Sequence, residues 1–329
     1  MNNNRKQKYL RIAPFYIMWQ FRIPEIGKST MRYDNISGAI PALITPFEVD
    51  NSIDLVTWKN WLAWHNAQTT QAAVVFGSTG EGLSLTMSER ELLLKIARKQ
   101  FDKTALIVGV SSPSTEQAII LAQQAKDHGA DAILLTTPYY VRPSQDGLCL
   151  HYQKIALSVA IPIILYTVPS RTGVDVDDQT LLTLAEEETI IGIKDAGGDI
   201  SRLKRLIHKL PSDFLYLGGN DDEIVENIEH GGAGTVSVVA NLVPNAVESV
   251  IRNYQANQQW SKGKFSELQP LIEVIAKHGN PQVIKYMIQS SYSISSTMRL
   301  PLTSLSDAAK TESDHAMRLS QITPEEITF

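Results

Sequence analysis

The sequence predicts an α/β protein, a (β/α)₈ TIM barrel with a C-terminal helical appendage. Eight short apolar runs recur between residues 38 and 239, and a turn and a helical pattern follow them. The runs are apolar almost throughout, which is typical of parallel strands covered on both faces. The alternative is a doubly wound open sheet, but the first run lacks the glycine-rich turn of that fold. Alternation of eight such units therefore favours the closed barrel.

The predicted strands share this apolar character and cover residues 38–47, 72–77, 105–110, 132–138, 162–167, 190–195, 214–220 and 234–239. The segments between them carry helix signals. Thr86 and Glu89 form a capping box before a helical pattern. Trp58, Trp61 and Trp64 lie at three-residue spacing, which indicates a face packed on the sheet or on a partner rather than a cofactor site.

After the eighth run the pattern becomes helical, with predicted helices over 244–260, 264–279, 281–291 and 306–321. We therefore expect a catalytic barrel over residues 36–257 and a C-terminal helical region over residues 258–329. In this region, residues 299–306 separate the last two helices.

Residues 1–35 form a predicted N-terminal extension. Its first thirty residues carry six basic residues and one acidic residue, and their apolar stretch is too short to span a membrane. They also lack a signal-peptide cleavage site. Three interpretations remain: a targeting or surface-binding leader, a disordered tail, or a misassigned start with Met31 as the true first residue. We favour the last two.

The overall composition limits the class of function. The formal net charge of −5 argues against non-specific binding to nucleic acid or to an anionic membrane. Cys149 is the single cysteine, so no intrachain disulfide can form, and a reducing, cytoplasmic location fits best. The seven histidines lack metal-ligand spacing, and no C-x-x-C or H-E-x-x-H motif occurs. We therefore expect no metal site and no cofactor.

Lys194 is the most informative residue, because a strand buried on both faces rarely carries a cation. Side chains alternate along a strand, so if Ile191 and Ile193 face the helices, Gly192 and Lys194 face the barrel axis. Desolvation there disfavours the ammonium form, and a neutral amine can attack a ketone to form a Schiff base. A lysine paired with Asp195 is the alternative, and the strand alone does not separate the two.

Polar residues at other strand ends strengthen the first interpretation, because reacting groups in such barrels lie at the C-terminal ends of strands. Tyr166 ends the preceding strand and could move protons, with Ser78, Thr79 and Tyr140 as a relay. A tyrosine that plugs the barrel mouth is the alternative. Arg171 follows the same strand as Tyr166 and could bind a carboxylate or form a surface salt bridge.

Several motifs together resemble one known family. They are "GSTGE", "TPYYVRPSQDGL", "YTVPSRTG", "GIKDAGGD" and "NP…K" at 280–285. The chain resembles the dihydrodipicolinate synthases, of the pyruvate-dependent aldolase superfamily that also holds N-acetylneuraminate lyase, from about residue 36 to beyond 303. The motif "PSRTG" resembles that of the synthase branch rather than that of the N-acetylneuraminate lyase branch. The resemblance implies a homotetrameric lyase of lysine and diaminopimelate biosynthesis that condenses pyruvate with L-aspartate 4-semialdehyde.

The resemblance also implies catalytic roles. Lys194 matches the lysine that forms the Schiff base with pyruvate, and Tyr166 matches the tyrosine that relays protons. Ser78 lies where the family has a relay threonine. Tyr140 matches a relay tyrosine that reaches across a subunit interface.

Four further residues match substrate contacts of the family. Thr79 matches a contact of the pyruvate carboxylate, and Arg171 matches the arginine that recruits the carboxylate of the semialdehyde. Val236 matches a backbone contact near the site, and Gly219 lies in the strand-end sequence "GGND".

The chain departs from the family pattern at Ser78, Thr167 and Val141, which flank the site and concern the choice of second substrate. Another aldolase or hydratase that acts on a sugar acid or other aldehyde is therefore an alternative, and a non-catalytic barrel that binds a ligand or partner is another. Positions that match the family's lysine-inhibition pocket hold different residues, namely Met87, Arg90, Pro113 and Gln117. We therefore expect weak or absent inhibition by lysine.

Overall fold

The computed structural model describes residues 35–320. The predicted extension, apart from residue 35, and residues 321–329 of the C-terminal region lie outside the described residues. Eight parallel strands form the barrel: β1 Gly38–Pro41, β2 Ala72–Val75, β3 Ala105–Val110, β4 Ala132–Thr136, β5 Ile163–Thr167, β6 Ile190–Asp195, β7 Leu215–Gly218 and β8 Gly234–Ser237. Their order is β1-β8-β7-β6-β5-β4-β3-β2. A parallel bridge between Ala42 and Val74 joins β1 to β2 and nearly closes the barrel.

Strands β3 and β6 have the predicted bounds, whereas the first strand is shorter than the predicted 38–47. Residues beyond Pro41 stay buried, but their backbone pairs with other elements. The Leu43 amide donates to the Val74 carbonyl at 2.8 Å, and the Ile44 amide donates to Asn241 Oδ1 at 3.1 Å. An apolar sequence therefore continues into the core without continuing the strand.

Twelve helices are described, and they are α1 Leu55–Ala67, α2 Met87–Gln100, α3 Thr115–Asp127, α4 Gln145–Val159, α5 Pro169–Thr172, α6 Asp178–Leu184, α7 Ser201–Leu206, α8 Ile224–Glu229, α9 Pro244–Asn253, α10 Gln258–His278, α11 Gln282–Tyr292 and α12 Asp307–Leu319. The capping box at the start of α2 is confirmed. The Thr86 amide donates to Glu89 Oε2 at 2.8 Å, and the Glu89 amide donates to Thr86 Oγ1 at 3.2 Å.

The prediction of one helix over 244–260 was wrong. The chain leaves the helical conformation after Asn253 and enters α10 at Gln258. Asn257 caps this new helix, because its side chain accepts a hydrogen bond from the Trp260 amide at 3.0 Å. The predicted boundary at 257/258 falls in this break. The separation of the last two helices by residues 299–306 is confirmed.

The tryptophan face of α1 is a packing face, as predicted. Trp58 donates from its indole to the Leu93 carbonyl on α2 at 3.2 Å. Trp61 and Trp64 stack on each other, with ring centroids 5.1 Å apart, and both contact Tyr292 of α11. Helix α1 is therefore joined to both the barrel and the C-terminal helices.

On β6, the predicted orientation towards the helices is correct for Ile193 and wrong for Ile191. Ile193 packs in the cluster between sheet and helices, but Ile191 packs against the apolar interior of the barrel. The register explains the difference, because Ile163 of β5 pairs with Ile190 and Ile164 pairs with Gly192. Ile191 has no partner on β5, so the alternation restarts after it.

Candidate active site

Lys194 and Tyr166 form the centre of the candidate site. They are register partners on β6 and β5, and Tyr166 belongs to the interior cluster of the barrel. The Lys194 Nζ lies 4.3 Å from the centroid of the Tyr166 ring, and Lys194 is 7% exposed. Lys194 therefore faces the barrel axis, near the C-terminal ends of the strands.

The pairing of Lys194 with Asp195 is not what the structure shows. Asp195 faces the other side of the strand, where it accepts from Arg202 Nη1 at 3.2 Å and from the Tyr216 hydroxyl at 2.5 Å. Burial and the adjacent carboxylate raise the pKa of Tyr216, which keeps its phenol a neutral donor. Within residues 35–320, Lys194 Nζ forms no ion pair and no hydrogen bond, so its amine is available to a ligand.

The loop "GSTGEG" after β2 carries two predicted residues with different environments. Ser78 is exposed, whereas Thr79 is 2% exposed. The Thr79 Oγ1 accepts a hydrogen bond from Asn280 Nδ2 at 2.8 Å. Gly82 allows the tight path of this loop, because a Cβ there would lie 2.0 Å from the Phe76 carbonyl oxygen.

Tyr140 and Arg171 lie on the surface of this chain. Tyr140 is 90% exposed, and its φ of 72° lies in the left-handed region that bulky residues rarely adopt. Arg171, on the short helix α5, is exposed and forms no ion pair with any described residue. The surface salt bridge, the alternative for Arg171, is therefore absent from residues 35–320.

The two remaining predicted residues lie close to the centre. Val236 on β8 is 1% exposed and belongs to the interior cluster. Gly219 follows β7 and donates from its amide to the Asp195 carbonyl at 2.7 Å. A Cβ at Gly219 would lie 2.6 Å from the Ala196 Cβ, so only glycine permits this approach of the two strand ends.

Asp221 is a site residue that the sequence analysis missed. Its Oδ2 accepts from the Val238 and Val239 amides at 2.9 and 3.0 Å, and its Oδ1 is buried without a partner among the described residues. Burial raises the pKa of this carboxyl, while hydrogen bonds, including those from the Val238 and Val239 amides, and the nearby Lys194 side chain act in the opposite direction. An acidic residue directly after the strand end "GGN" was the available signal.

Arg90 occupies one of the positions that match the lysine-inhibition pocket. It is 4% exposed and donates from Nη2 to the Gly109 carbonyl at 2.8 Å. Burial lowers the pKa of its guanidinium to about 10, so it stays charged at neutral pH. The expectation of weak or absent inhibition by lysine stays a prediction.

The described residues hold neither a candidate metal centre nor a candidate membrane span. No cluster of three or more His, Cys, Asp or Glu side chains within residues 35–320 could hold a metal ion. In the same residues, none of the helices has the length and apolar character needed to span a bilayer.

The comparisons with known proteins agree in one family. The model of the dihydrodipicolinate synthetase family matches residues 35–319. The 4-hydroxy-tetrahydrodipicolinate synthase of Cellvibrio japonicus is 40% identical over 287 residues, which cover 87% of this chain and 99% of the relative. The chloride-inhibited dihydrodipicolinate synthase of Acinetobacter baumannii, solved with pyruvate, is 37% identical with a TM-score of 0.84, covering 87% of this chain and 99% of that one.

A third relative is a solved dihydrodipicolinate synthase variant described as monomeric. It is 31% identical with a TM-score of 0.85, and the match covers 88% of this chain and 98% of the variant. Since the family model and these relatives span nearly all the described residues, the chain belongs to the dihydrodipicolinate synthetase family.

Proposed function

We propose that Lys194 carries the chemistry of this chain by forming a Schiff base with pyruvate. The activity is that of the 4-hydroxy-tetrahydrodipicolinate synthases, lyases of the class I aldolase type in lysine and diaminopimelate biosynthesis. The observation that supports the role of Lys194 is its buried amine, which lies 4.3 Å from the centroid of the Tyr166 ring and forms no hydrogen bond or ion pair with residues 35–320.

The proposed chemistry uses the Lys194 amine beside the Tyr166 ring. Lys194 Nζ attacks the keto carbon of pyruvate, and one proton moves from nitrogen to the new hydroxyl. A second proton converts that hydroxyl into water, and departure of this water forms an iminium. The iminium draws electrons from the neighbouring methyl group, which loses a proton and becomes an enamine. Tyr166 would move these protons, with Ser78 and Tyr140 completing the relay.

The enamine carbon then attacks the aldehyde carbon of L-aspartate 4-semialdehyde, and the aldehyde oxygen takes up a proton. The amine of the semialdehyde displaces Lys194 from the iminium carbon and closes a six-membered ring. In this proposal Thr79 binds the pyruvate carboxylate, and Arg171 binds the carboxylate of the semialdehyde through paired N–H groups. Val236 and Gly219 line the site beside Lys194.

We also propose that the chain acts as a homotetramer in the cytoplasm and binds neither nucleic acid nor membranes. Exposed apolar side chains on Leu83, Tyr140 and Val141, at 67%, 90% and 56%, support an assembly in which a second copy covers them. A relay role for Tyr140 requires such a copy, because this side chain makes no hydrogen bond to Lys194 or Tyr166 of its own chain.

Reductive trapping tests the proposal. Incubation with pyruvate and borohydride should add about 72 Da to the peptide that contains Lys194, because reduction fixes the Schiff base. The peptide that contains Lys285, a second buried lysine, should stay unmodified and serves as the internal control. Lys194→Met should abolish the adduct.

A second arm varies the aldehyde. Turnover with L-aspartate 4-semialdehyde, and none with sugar aldehydes, is the expected result. Trapping combined with turnover of a sugar aldehyde alone would instead identify an aldolase of the sister branch. Absence of any adduct on Lys194 would identify a non-catalytic barrel.

A further inference from the structure

A segment of the C-terminal region, residues 280–299, contacts the loop "GSTGEG" at two points, Thr79 and Glu81. These loop residues are separated from the segment by about two hundred positions in sequence. The segment also contacts the start of α2, where Arg299 Nη1 and Nη2 donate to Glu89 at 2.9 and 2.6 Å. The loop is therefore held from outside the barrel as well as by β2.

The contact at Glu81 is a buried ion pair. Lys285 Nζ lies 2.5 Å from Glu81 Oε1, and neither side chain is exposed. Lys285 Nζ also donates to the Thr297 carbonyl at 2.8 Å, and Glu81 Oε2 accepts from the Arg299 amide at 3.0 Å. The Thr297 carbonyl and the Arg299 amide hold the two members of this buried pair in place, so the pair fixes the position of the loop backbone beside Thr79.

The contact at Thr79 sets the direction of a hydroxyl. A threonine hydroxyl has one proton to donate and can accept two hydrogen bonds. Asn280 Nδ2 occupies one acceptor position of Thr79 Oγ1 at 2.8 Å, and the hydroxyl proton finds no acceptor within residues 35–320. A nearly buried donor without an acceptor suits a ligand that only accepts, and a carboxylate is such a ligand.

We propose that Asn280 is a positioning residue that makes Thr79 a donor to the carboxylate of the keto-acid substrate. The Lys285–Glu81 pair holds the loop so that the two groups stay within reach. This inference rests on the proposed contact between Thr79 and the pyruvate carboxylate. Asn280 acts through Thr79 and need not touch the substrate.

Asn280→Asp tests the direction of the hydrogen bond between residue 280 and Thr79. The introduced carboxylate can only accept, so it takes the Thr79 proton and adds a negative charge near the substrate carboxylate. The KM for pyruvate should rise about tenfold or more, the value of one hydrogen bond to a charged group. The kcat at saturating pyruvate and the KM for the semialdehyde should change by less than about twofold, because Lys194 is untouched.

Asn280→Leu separates two effects, the loss of the donor and its replacement by an acceptor. Leucine has a volume similar to that of asparagine but neither donates nor accepts, so the KM for pyruvate should rise less than in Asn280→Asp. Asn253→Asp, at an exposed position of α9, introduces the same charge elsewhere and should leave both KM values unchanged. Thermal unfolding of each variant shows whether a loss of fold contributes.

Borohydride trapping distinguishes failure of this inference from failure of the proposed function. If wild-type Lys194 forms no pyruvate adduct, the proposed function fails. If wild type is trapped and Asn280→Asp reaches half-trapping at the same pyruvate concentration, the inference is overturned. That result would mean that Thr79 already donates to the side chain at position 280, a bond that a carboxylate would preserve.

Discussion

Two buried lysines in this barrel differ in what surrounds the amine. Lys285 Nζ meets Glu81 and the Thr297 carbonyl, and burial lowers the pKa of its amine although Glu81 opposes the shift. Lys194 Nζ meets the face of Tyr166 and no protein acceptor within residues 35–320. A paired amine stabilises structure, whereas an unpaired amine in a site open to substrate is available for covalent chemistry. Burial alone does not distinguish these roles, but the partners do.

His65 provides a prediction about pH. It is fully buried on α1 between Trp61 and Trp64, and burial lowers its pKa from 6.5 to about 3. The unfolded chain binds a proton near the ordinary pKa and the folded chain does not, so stability falls as the pH decreases through this window. His65→Leu should remove this dependence, which amounts to at most about 1.4 kcal/mol per pH unit.

Urea unfolding at about pH 7 and about pH 5 measures the effect as the difference between two free energies of unfolding. The exposed His315 on α12 offers the matched control, and His315→Gln should retain the pH dependence of the wild type. An equal pH dependence in His65→Leu and wild type would contradict the prediction.

At the scale of elements, the features that were predicted correctly are those that a local sequence pattern determines. The apolar runs of β3 and β6 gave correct bounds, and Thr86 with Glu89 gave the start of α2. The orientation of Ile191 was missed, because a register shift depends on the neighbouring strand. The role of Asn280 was missed for the same kind of reason, since its contact with Thr79 spans 201 positions. Long-range polar contacts leave no local period in the sequence.

The contact between α11 and the loop after β2 gives a prediction about stability. Lys285→Met leaves Glu81 buried without its partner, which should lower the free energy of unfolding by about 3–5 kcal/mol. Adding Glu81→Gln should recover part of this loss, because a neutral amide costs less to bury and can still accept from the Arg299 amide. Urea titrations of the single and double variants measure both changes.

The exposed pair Lys154–Glu116 is the control for this experiment, because its atoms are also 2.5 Å apart while its side chains are 58% and 70% exposed. Lys154→Met should change the free energy of unfolding by less than about 1 kcal/mol. Similar decreases in the free energy of unfolding in Lys154→Met and Lys285→Met would show that burial of the pair does not increase the cost of breaking it. A double variant less stable than Lys285→Met would contradict the explanation through an unpaired carboxylate.

At the scale of the whole molecule, a single chain brings only part of the proposed site together. Lys194 and Tyr166 are in contact, but Tyr140 is 90% exposed in a left-handed backbone conformation. A strained and exposed aromatic residue is unfavourable unless another surface covers it. The relay proposed above therefore assigns Tyr140 to the site of a neighbouring copy, which makes catalysis depend on assembly.

Mixing two impaired variants tests this assignment. In an oligomer of Lys194→Ala and Tyr140→Phe chains, one site receives Lys194 from one chain and Tyr140 from the other. Each pair of chains that share such an interface has two sites. With random pairing, half the pairs are mixed, and one of the two sites in each mixed pair is complete, so about a quarter of the wild-type sites should be restored. Lys194→Ala with Tyr166→Phe should restore none, since both residues act in the same chain. Native mass spectrometry establishes that mixed oligomers form, and if they do while the first pair stays as inactive as the second, Tyr140 does not act across an interface.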